Sequence, residues 1–240
     1  MLRGISLFYF VDNYLLFAIL IMITGGIHML CIFDLDGTLV DSLEDLAEAT
    51  EYALAQCGYP GHPLDAYKYF VGNGVKKLIE RALGASHIND YARARAYFDA
   101  YYTEHCLDHT KAYPDMYPQL EKLLAQGNTL AVFTNKPDGL AKKVIQACYP
   151  LPFQFVQGQT DQYPVKPDPA FLEAYFTSHG RESAVFIGDS NVDIETGKCA
   201  GLKTIGVTWG NRLESELREA GADAICHQPQ EIVWTIGAWR

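Results

Sequence analysis

The residues with the clearest chemical potential stand in the run Cys31-Ile32-Phe33-Asp34-Leu35-Asp36-Gly37-Thr38-Leu39-Val40-Asp41-Ser42, where a short apolar stretch ends in two carboxylates spaced i, i+2. A strand alternates faces with a period of 2, so Asp34 and Asp36 can both enter a cleft beyond the strand end. Gly37 lets the backbone turn behind them and approach a ligand closely. Carboxylates held this close do not ionise independently. One is suited to stay an anionic nucleophile or metal ligand while the other carries a proton. The plainer reading of the same run is an Asp-Gly turn after a buried strand, with Asp41 or Ser42 capping the helix that follows.

Other groups of matching chemistry stand at the ends of later apolar runs. Thr134 and Asn135 can donate hydrogen bonds to phosphoryl oxygens. Lys166, in Val165-Lys166-Pro167-Asp168-Pro169, supplies a point charge whose backbone the two prolines stiffen. Asp189 and Asp193 add hard oxygen ligands of the kind Mg²⁺ prefers. Each has a plainer alternative: a solvated loop lysine for Lys166, strand-end filler for Thr134, and for Asp193 a carboxylate set against a helix N-terminus.

These groups need a scaffold that brings them together, and the apolar pattern supplies one. Met29 to Asp34, Thr129 to Thr134, Phe153 to Val156, Ala184 to Asp189 and Thr204 to Thr208 are short apolar runs separated by helical patterns. Such runs indicate a parallel sheet covered on both faces. From Leu43 to about residue 112 the pattern is helical throughout, with Leu46, Ala47, Ala53, Leu54 and Cys57 at helical spacing and Gly58 as a stop. The expected architecture is a doubly wound, Rossmann-like α/β core of residues 29–42 and 113–240, interrupted after its first strand by a helical unit of residues 43–112. In open α/β sheets ligands bind beyond the carboxyl ends of the strands, which is where the polar groups are expected to converge.

Composition narrows the partners. A formal net charge of −10 over 240 residues argues against a nucleic-acid groove or an anionic membrane surface. It leaves room for a small phosphorylated substrate, because a few cations and a bound metal can dominate one cleft. The six cysteines form no CxxC pair, which fits free thiols in a reducing cytoplasm. The seven histidines are scattered and suggest no histidine metal site.

Taken in order, Asp34-Leu35-Asp36-Gly37-Thr38, Thr134-Asn135, Lys166-Pro167 and Gly188-Asp189-Ser190-Asn191-Val192-Asp193 resemble the motifs of the haloacid dehalogenase superfamily of phosphotransferases. The resemblance runs from Met29 to the C-terminus. Ser42-Leu43-Glu44-Asp45-Leu46-Ala47, Val71-Gly72-Asn73-Gly74-Val75, Thr134-Asn135-Lys136-Pro137 and Val165-Lys166-Pro167-Asp168-Pro169 are similar to its phosphoglycolate phosphatases. Two departures are mild: Lys198 lies where smaller residues are usual, and Glu44 stands in place of a linker proline. The resemblance implies a helical cap over the α/β core and a Mg²⁺-dependent phosphomonoester hydrolase acting through an aspartyl-phosphate. In that scheme Asp34 is the nucleophile and Asp36 the acid and base. Asp34, the Asp36 backbone carbonyl, Asp189 and Asp193 surround the metal. Thr134, Asn135 and Lys166 bind the phosphoryl group, and Gly72, Asn73 and Gly74 form a cap loop reaching the substrate, with 2-phosphoglycolate the first expectation. A sugar-phosphate mutase, a pyrophosphatase or another small-molecule phosphatase of the superfamily would share these motifs. A dehalogenase would not need Asp36. A phosphonate hydrolase would need a cap lysine, for which Lys68, Lys76 and Lys77 are the candidates by position.

Residues 1–28 are a separate matter. Tyr14 to Thr24 is too short an apolar run to span a bilayer, and Asp12 sits at its edge. Gly25-Gly26-Ile27-His28 lacks a small-x-small cleavage pattern. Gly25-Gly26 can be encoded GGAGGA, a ribosome-binding sequence just ahead of a Met29 start codon. The segment is expected to be dispensable, read from an upstream start, with a membrane anchor, a signal or an ordered extra helix as the alternatives.

Overall fold

The computed structural model describes residues 28–239. In chain order these form β1 (Leu30–Phe33), β2 (Val40–Asp41), α1 (Leu43–Cys57), α2 (Leu64–Phe70), α3 (Gly74–Leu83), a 3₁₀ turn (Ala85–Asp90), α4 (Tyr91–His105) and β3 (Lys111–Ala112). There follow α5 (Met116–Ala125), β4 (Thr129–Pro137), α6 (Asp138–Cys148), β5 (Phe153–Gln159), α7 (Ala170–His179) and β6 (Ala184–Gly188). The chain ends with α8 (Asn191–Cys199), β7 (Lys203–Val207), α9 (Glu214–Glu219), β8 (Ala224–Cys226) and α10 (Pro229–Ala238). The expectation for the N-terminal extension falls on residues outside those described, His28 excepted.

Six strands pair in parallel in the order β5-β4-β1-β6-β7-β8, giving the doubly wound α/β sheet that the apolar runs predicted. β1 is buried at every position because it lies inside the sheet and serves two cores. Cys31 and Phe33 pack on one face with Leu120 of α5, Val144 of α6 and Ile236 of α10. Leu30 and Ile32 pack on the other with Leu172 and Phe176 of α7. That is period-2 alternation in a strand covered on both sides.

α1 to α4 close on a cluster of their own, in which Leu46, Ala53, Leu54, Tyr67, Leu78, Ile79, Phe98 and Tyr102 are buried. α1 stops where the sequence predicts, at Gly58 in the left-handed conformation with its N–H returned to Ala55 O. The two crossings between this helical unit and the sheet are fastened side by side. β2 pairs antiparallel with β3, and buried Asp45 of α1 accepts the N–H of His109 and of Thr110, each at 2.8 Å, and the Thr110 hydroxyl at 2.6 Å.

Three features were absent from the sequence expectation. β2 and β3 are two residues each and β8 three, too short to leave a periodic signal. β4 also runs on past Thr134 to Pro137, through a register shift against β5, and this carries Lys136 into the sheet.

Candidate active site

The carboxyl ends of β1, β4 and β6 bring Asp34, Thr134, Asn135, Lys166, Asp189 and Asp193 together, all of them buried. Asp34 leaves β1 with its N–H bonded to Ile187 O at 2.9 Å. The chain then turns at once, Leu39 and Val40 both donating to Leu35 O. Gly37 has φ +89°, and a Cβ there would lie 2.4 Å from Asp189 Oδ2, so only glycine lets this loop press against the β6 end. Asp189 in turn accepts the Asn211 N–H at 2.7 Å and the Thr38 hydroxyl at 3.4 Å.

Lys166 is the cation at the centre. Its Nζ is 2.6 Å from Asp193 Oδ1 and 2.9 Å from Asp34 Oδ1. The second of these ion pairs is the only contact of the buried Asp34 Oδ1 with a protein donor among the described residues. Asn135 fixes the lysine backbone: its Oδ1 accepts the Lys166 N–H at 2.8 Å, and its Nδ2 donates to Lys166 O and to Gly72 O, both at 3.2 Å. The Asn135 carboxamide is thus committed to backbone. Thr134 Oγ1 accepts the Lys136 N–H at 3.3 Å, and its own hydroxyl hydrogen has no acceptor among the described residues.

Asp193 takes the helix-terminus position that its sequence also allowed. Its Oδ2 accepts both the N–H (3.0 Å) and the hydroxyl (2.7 Å) of Ser190, the capping box that starts α8, while Oδ1 holds Lys166. Both oxygens are occupied by protein donors, so this carboxylate caps a helix and anchors a lysine. Gly188 makes room for it, since a Cβ there would sit 2.2 Å from the Asp193 carboxyl.

Asp36 is held differently. Ser42 Oγ (2.6 Å) and Lys136 Nζ (2.9 Å) both donate to its Oδ1, leaving Oδ2 without a protein donor among the described residues. Lys136 also donates to Tyr102 OH of α4 at 2.5 Å and lies over that ring. Sequence reasoning missed Lys136. Its signal was the i, i+2 spacing from Thr134, which an apolar run judged to end at Thr134 concealed.

Burial sets the electrostatics. It raises the Asp34 carboxyl to about 6, with Asp193 adding to the shift and Lys166 opposing it. Burial likewise raises Asp189 to about 8, helped by the negative charges of Asp193 and Asp34 and opposed by the Asn211 N–H. Burial works against the charge on both lysines, but the carboxylates win: Asp193 and Asp34 hold Lys166 above its usual range, and Asp36 and Tyr102 do the same for Lys136.

A divalent cation fits this donor set. Oxygens of Asp34, Asp189 and Asp193 lie within 4.8 Å of one another. Four carboxylates face two ammonium groups, so the buried cluster carries a formal excess of two negative charges that hard cations of charge +2 would match. A second group, Glu44, Glu48 and His109, lies on the surface.

Between the sheet ends and the helical unit lies a small cavity, with about 30 Å³ open to the centre of a water-sized sphere. Asp34, Asp36, Thr134, Asn135 and Lys136 form its floor, and Leu46, Val71, Gly72, Gly74, Val75, Leu78 and Tyr102 its roof. Asn73 is not in the lining; its carboxamide accepts Arg81 Nη2 at 2.8 Å. Nor are Lys68, Lys76 and Lys77, which pair on the surface with Asp65 and Glu80. No helix among the described residues is long and apolar enough to cross a membrane.

The family model for haloacid dehalogenase-like hydrolases matches residues 31–207. A phosphoglycolate phosphatase of Pseudomonas putida is 36% identical over 196 residues, covering 78% of this chain and 71% of its own. One from Aliivibrio fischeri is 34% identical over 221 residues, covering 87% and 96%. Among solved structures, that of a predicted phosphoglycolate phosphatase from Haemophilus somnus superposes with a TM-score of 0.80 at 29% identity, covering 87% of this chain and 98% of that one.

Proposed function

This chain belongs to the haloacid dehalogenase-like hydrolases as a phosphoric monoester hydrolase of phosphoglycolate phosphatase type, and from that premise we propose that it hydrolyses 2-phosphoglycolate through an aspartyl-phosphate on Asp34. The observation that carries the proposal is the setting of Asp34. It is pinned at the β1 end, in the cavity lining, with Oδ1 2.9 Å from the Lys166 ammonium and within reach of the other carboxylates.

A carboxylate oxygen of Asp34 attacks phosphorus, and the bond from phosphorus to the ester oxygen breaks. Asp36, whose Oδ2 is unclaimed, gives a proton to the departing alkoxide. Water then attacks the phosphorus of the acyl phosphate and loses its proton to Asp36. The bond between phosphorus and Asp34 breaks, freeing phosphate and restoring both side chains. Lys166 and the Thr134 hydroxyl bind the transferring oxygens, and Asn135 and Asp193 keep Lys166 in place. Asp34, Asp189 and the backbone carbonyl of Asp36 would hold Mg²⁺, with Asp193 behind them; when bound, the ion supplies charge neutralisation for the transferring group. Positioning and electrostatics must carry nearly all the acceleration, since enhancements for phosphomonoester hydrolysis reach ~10²¹.

Residues 43–112 act as the cap and residues 29–42 with 113–240 as the catalytic core. The cavity between the sheet ends and the helical unit is where the substrate would sit. The six free cysteines fit a reducing cytoplasm. Phosphate release from a panel of small phosphomonoesters, pyrophosphate and hexose phosphates, with and without chelator, tests the proposal. 2-Phosphoglycolate should head the panel and chelator should abolish turnover. Preference for a hexose phosphate or pyrophosphate overturns it, and an acid-stable phosphate on a residue other than Asp34 overturns the covalent step.

A further inference from the structure

Lys136 is the one cation lining the cavity, and the chemistry assigned above leaves it without a task toward the substrate. It is buried, with its side chain 1% exposed, on the core side of a space whose opposite wall is largely apolar: Leu46, Val71, Val75 and Leu78. A lysine ammonium has three N–H donors. Two are used, one on Asp36 Oδ1 and one on Tyr102 OH, and the third has no acceptor among the described residues. The ammonium therefore keeps one donor free at the cavity wall.

A second feature of the same cavity has the same sign. α3 begins at Gly74 in the lining, its N-cap residue Asn73 makes no side-chain cap, and its first turn has no acidic residue. The Asn73 carboxamide that could have capped it is taken by Arg81. The first N–H groups of α3 and the positive end of its dipole are therefore left uncapped at the cavity wall.

The geometry points to Lys136, assisted by the N-terminus of α3, as the receptor for a second anionic group on the substrate, a carboxylate one carbon beyond the ester oxygen. Asp34 and Lys166 take the phosphoryl end, and Asp36, which must reach the ester oxygen, is itself bonded to Lys136. A substituent on the carbon next to that oxygen thus falls beside the lysine. This assignment rests on the phosphomonoesterase reading and narrows it to the class of small phosphorylated hydroxy acids. It also makes Lys136 a specificity-determining residue, distinct from the groups that handle phosphorus.

The test pairs 2-phosphoglycolate with ethyl phosphate, which has a methyl group where the carboxylate stands. In the full chain carrying Asp34→Asn, calorimetric titration should show 2-phosphoglycolate binding at least tenfold tighter than ethyl phosphate. Adding Lys136→Met should erase that preference, and Lys136→Arg should keep most of it. In the catalytically intact chain, Lys136→Met should lower kcat/KM on 2-phosphoglycolate about 100-fold more than on ethyl phosphate. Equal losses on both substrates would overturn the assignment, since Lys136 would then serve Asp36 alone. Equal binding of the two ligands to Asp34→Asn with Lys136 in place would overturn it whether or not any variant turns over or folds poorly. A wild-type chain that binds the two ligands with the expected preference yet releases no phosphate would sink the hydrolase mechanism and leave the receptor standing.

Discussion

The carboxamide of Asn135 brackets the backbone of Lys166, accepting its N–H at 2.8 Å and donating to its carbonyl at 3.2 Å, and the same Nδ2 reaches Gly72 O across the cavity. The position of the active-site lysine is therefore tied to the loop that roofs it. Asn135→Ala removes these bonds from a buried site and should cost about 1–3 kcal/mol of stability, since a lost partner exposes the desolvation penalty of the groups left behind. Turnover should fall at least tenfold because Lys166 loses its registration. Urea unfolding and steady-state kinetics check both, and an unchanged kcat would show that the prolines alone place Lys166.

Asp34→Asn should leave the fold intact and reduce phosphate release below about 1% of wild type, because an amide offers no anionic oxygen for attack. Asp36→Asn should be nearly as damaging, since its amide cannot pass a proton to the alkoxide. Both assays require mass-spectrometric proof that the amide has not reverted. Several per cent of residual activity in authentic Asp34→Asn would refute the nucleophile assignment.

Metal dependence should be coupled to pH through stability. Unfolded, Asp34 and Asp189 titrate near the ordinary aspartate value of 3.8; folded, burial and the neighbouring carboxylates raise them to about 6 and about 8. Between pH 4 and 8 the metal-free native state thus binds more protons than the unfolded chain, and stability is lost as pH rises through that window. A divalent cation competes with those protons, so the rise in Tm produced by Mg²⁺ should grow from pH 5 to pH 8. Asp189→Asn should flatten the metal-free pH profile and abolish most of the Mg²⁺ response. Asp193→Asn should instead cost stability, about 1–2 kcal/mol for a lost helix cap, with more for the loosened lysine. Differential scanning fluorimetry across pH, with and without Mg²⁺, separates these outcomes. A metal response that shrinks toward pH 8 would contradict them.

Much of this site was legible because sheet physics writes itself into sequence. A strand buried on both faces must be apolar until it ends, so Asp34 and Asp189 stand out as the first polar residues past β1 and β6. Gly37 was readable for the same reason, as a turn that must admit a close approach. What stayed hidden depends on pairing distant segments. β8 and the β2/β3 ribbon are too short to carry a period, and Asp45 braces the chain 64 residues ahead of it. Lys136 was hidden because a charged residue normally marks a strand's end, whereas here Asp36 and Tyr102 compensate its burial. Asn135 and Asp193 were found by type, but their protein partners, the Lys166 backbone and the Ser190 cap, were not readable from sequence because they depend on the folded geometry.

Closure of the roof should depend on Arg212. Its Nη2 donates to Val71 O at 3.0 Å, its guanidinium lies 5.6 Å from the centre of the Tyr69 ring, and Nε faces Glu216 at 3.5 Å. The neighbouring Asn211 N–H binds Asp189, so one short loop joins the acidic cluster to the roof. With Asn135 on Gly72, this gives the roof loop two polar fastenings to the core on consecutive carbonyls. Arg212→Met keeps the stem and removes the charged donor, a contact of about 1–2 kcal/mol where a cation both bonds a carbonyl and covers a ring. Because the contact fastens a loop and packs in none of the three hydrophobic clusters, Tm should change little. The lost contact should appear instead as a roof that opens more readily, with KM for the best substrate raised about 3- to 20-fold and faster amide exchange at residues 71–75. Unchanged KM together with unchanged exchange at those amides would show that the roof is held by Asn135 and the apolar packing of α1, α3 and α4 alone.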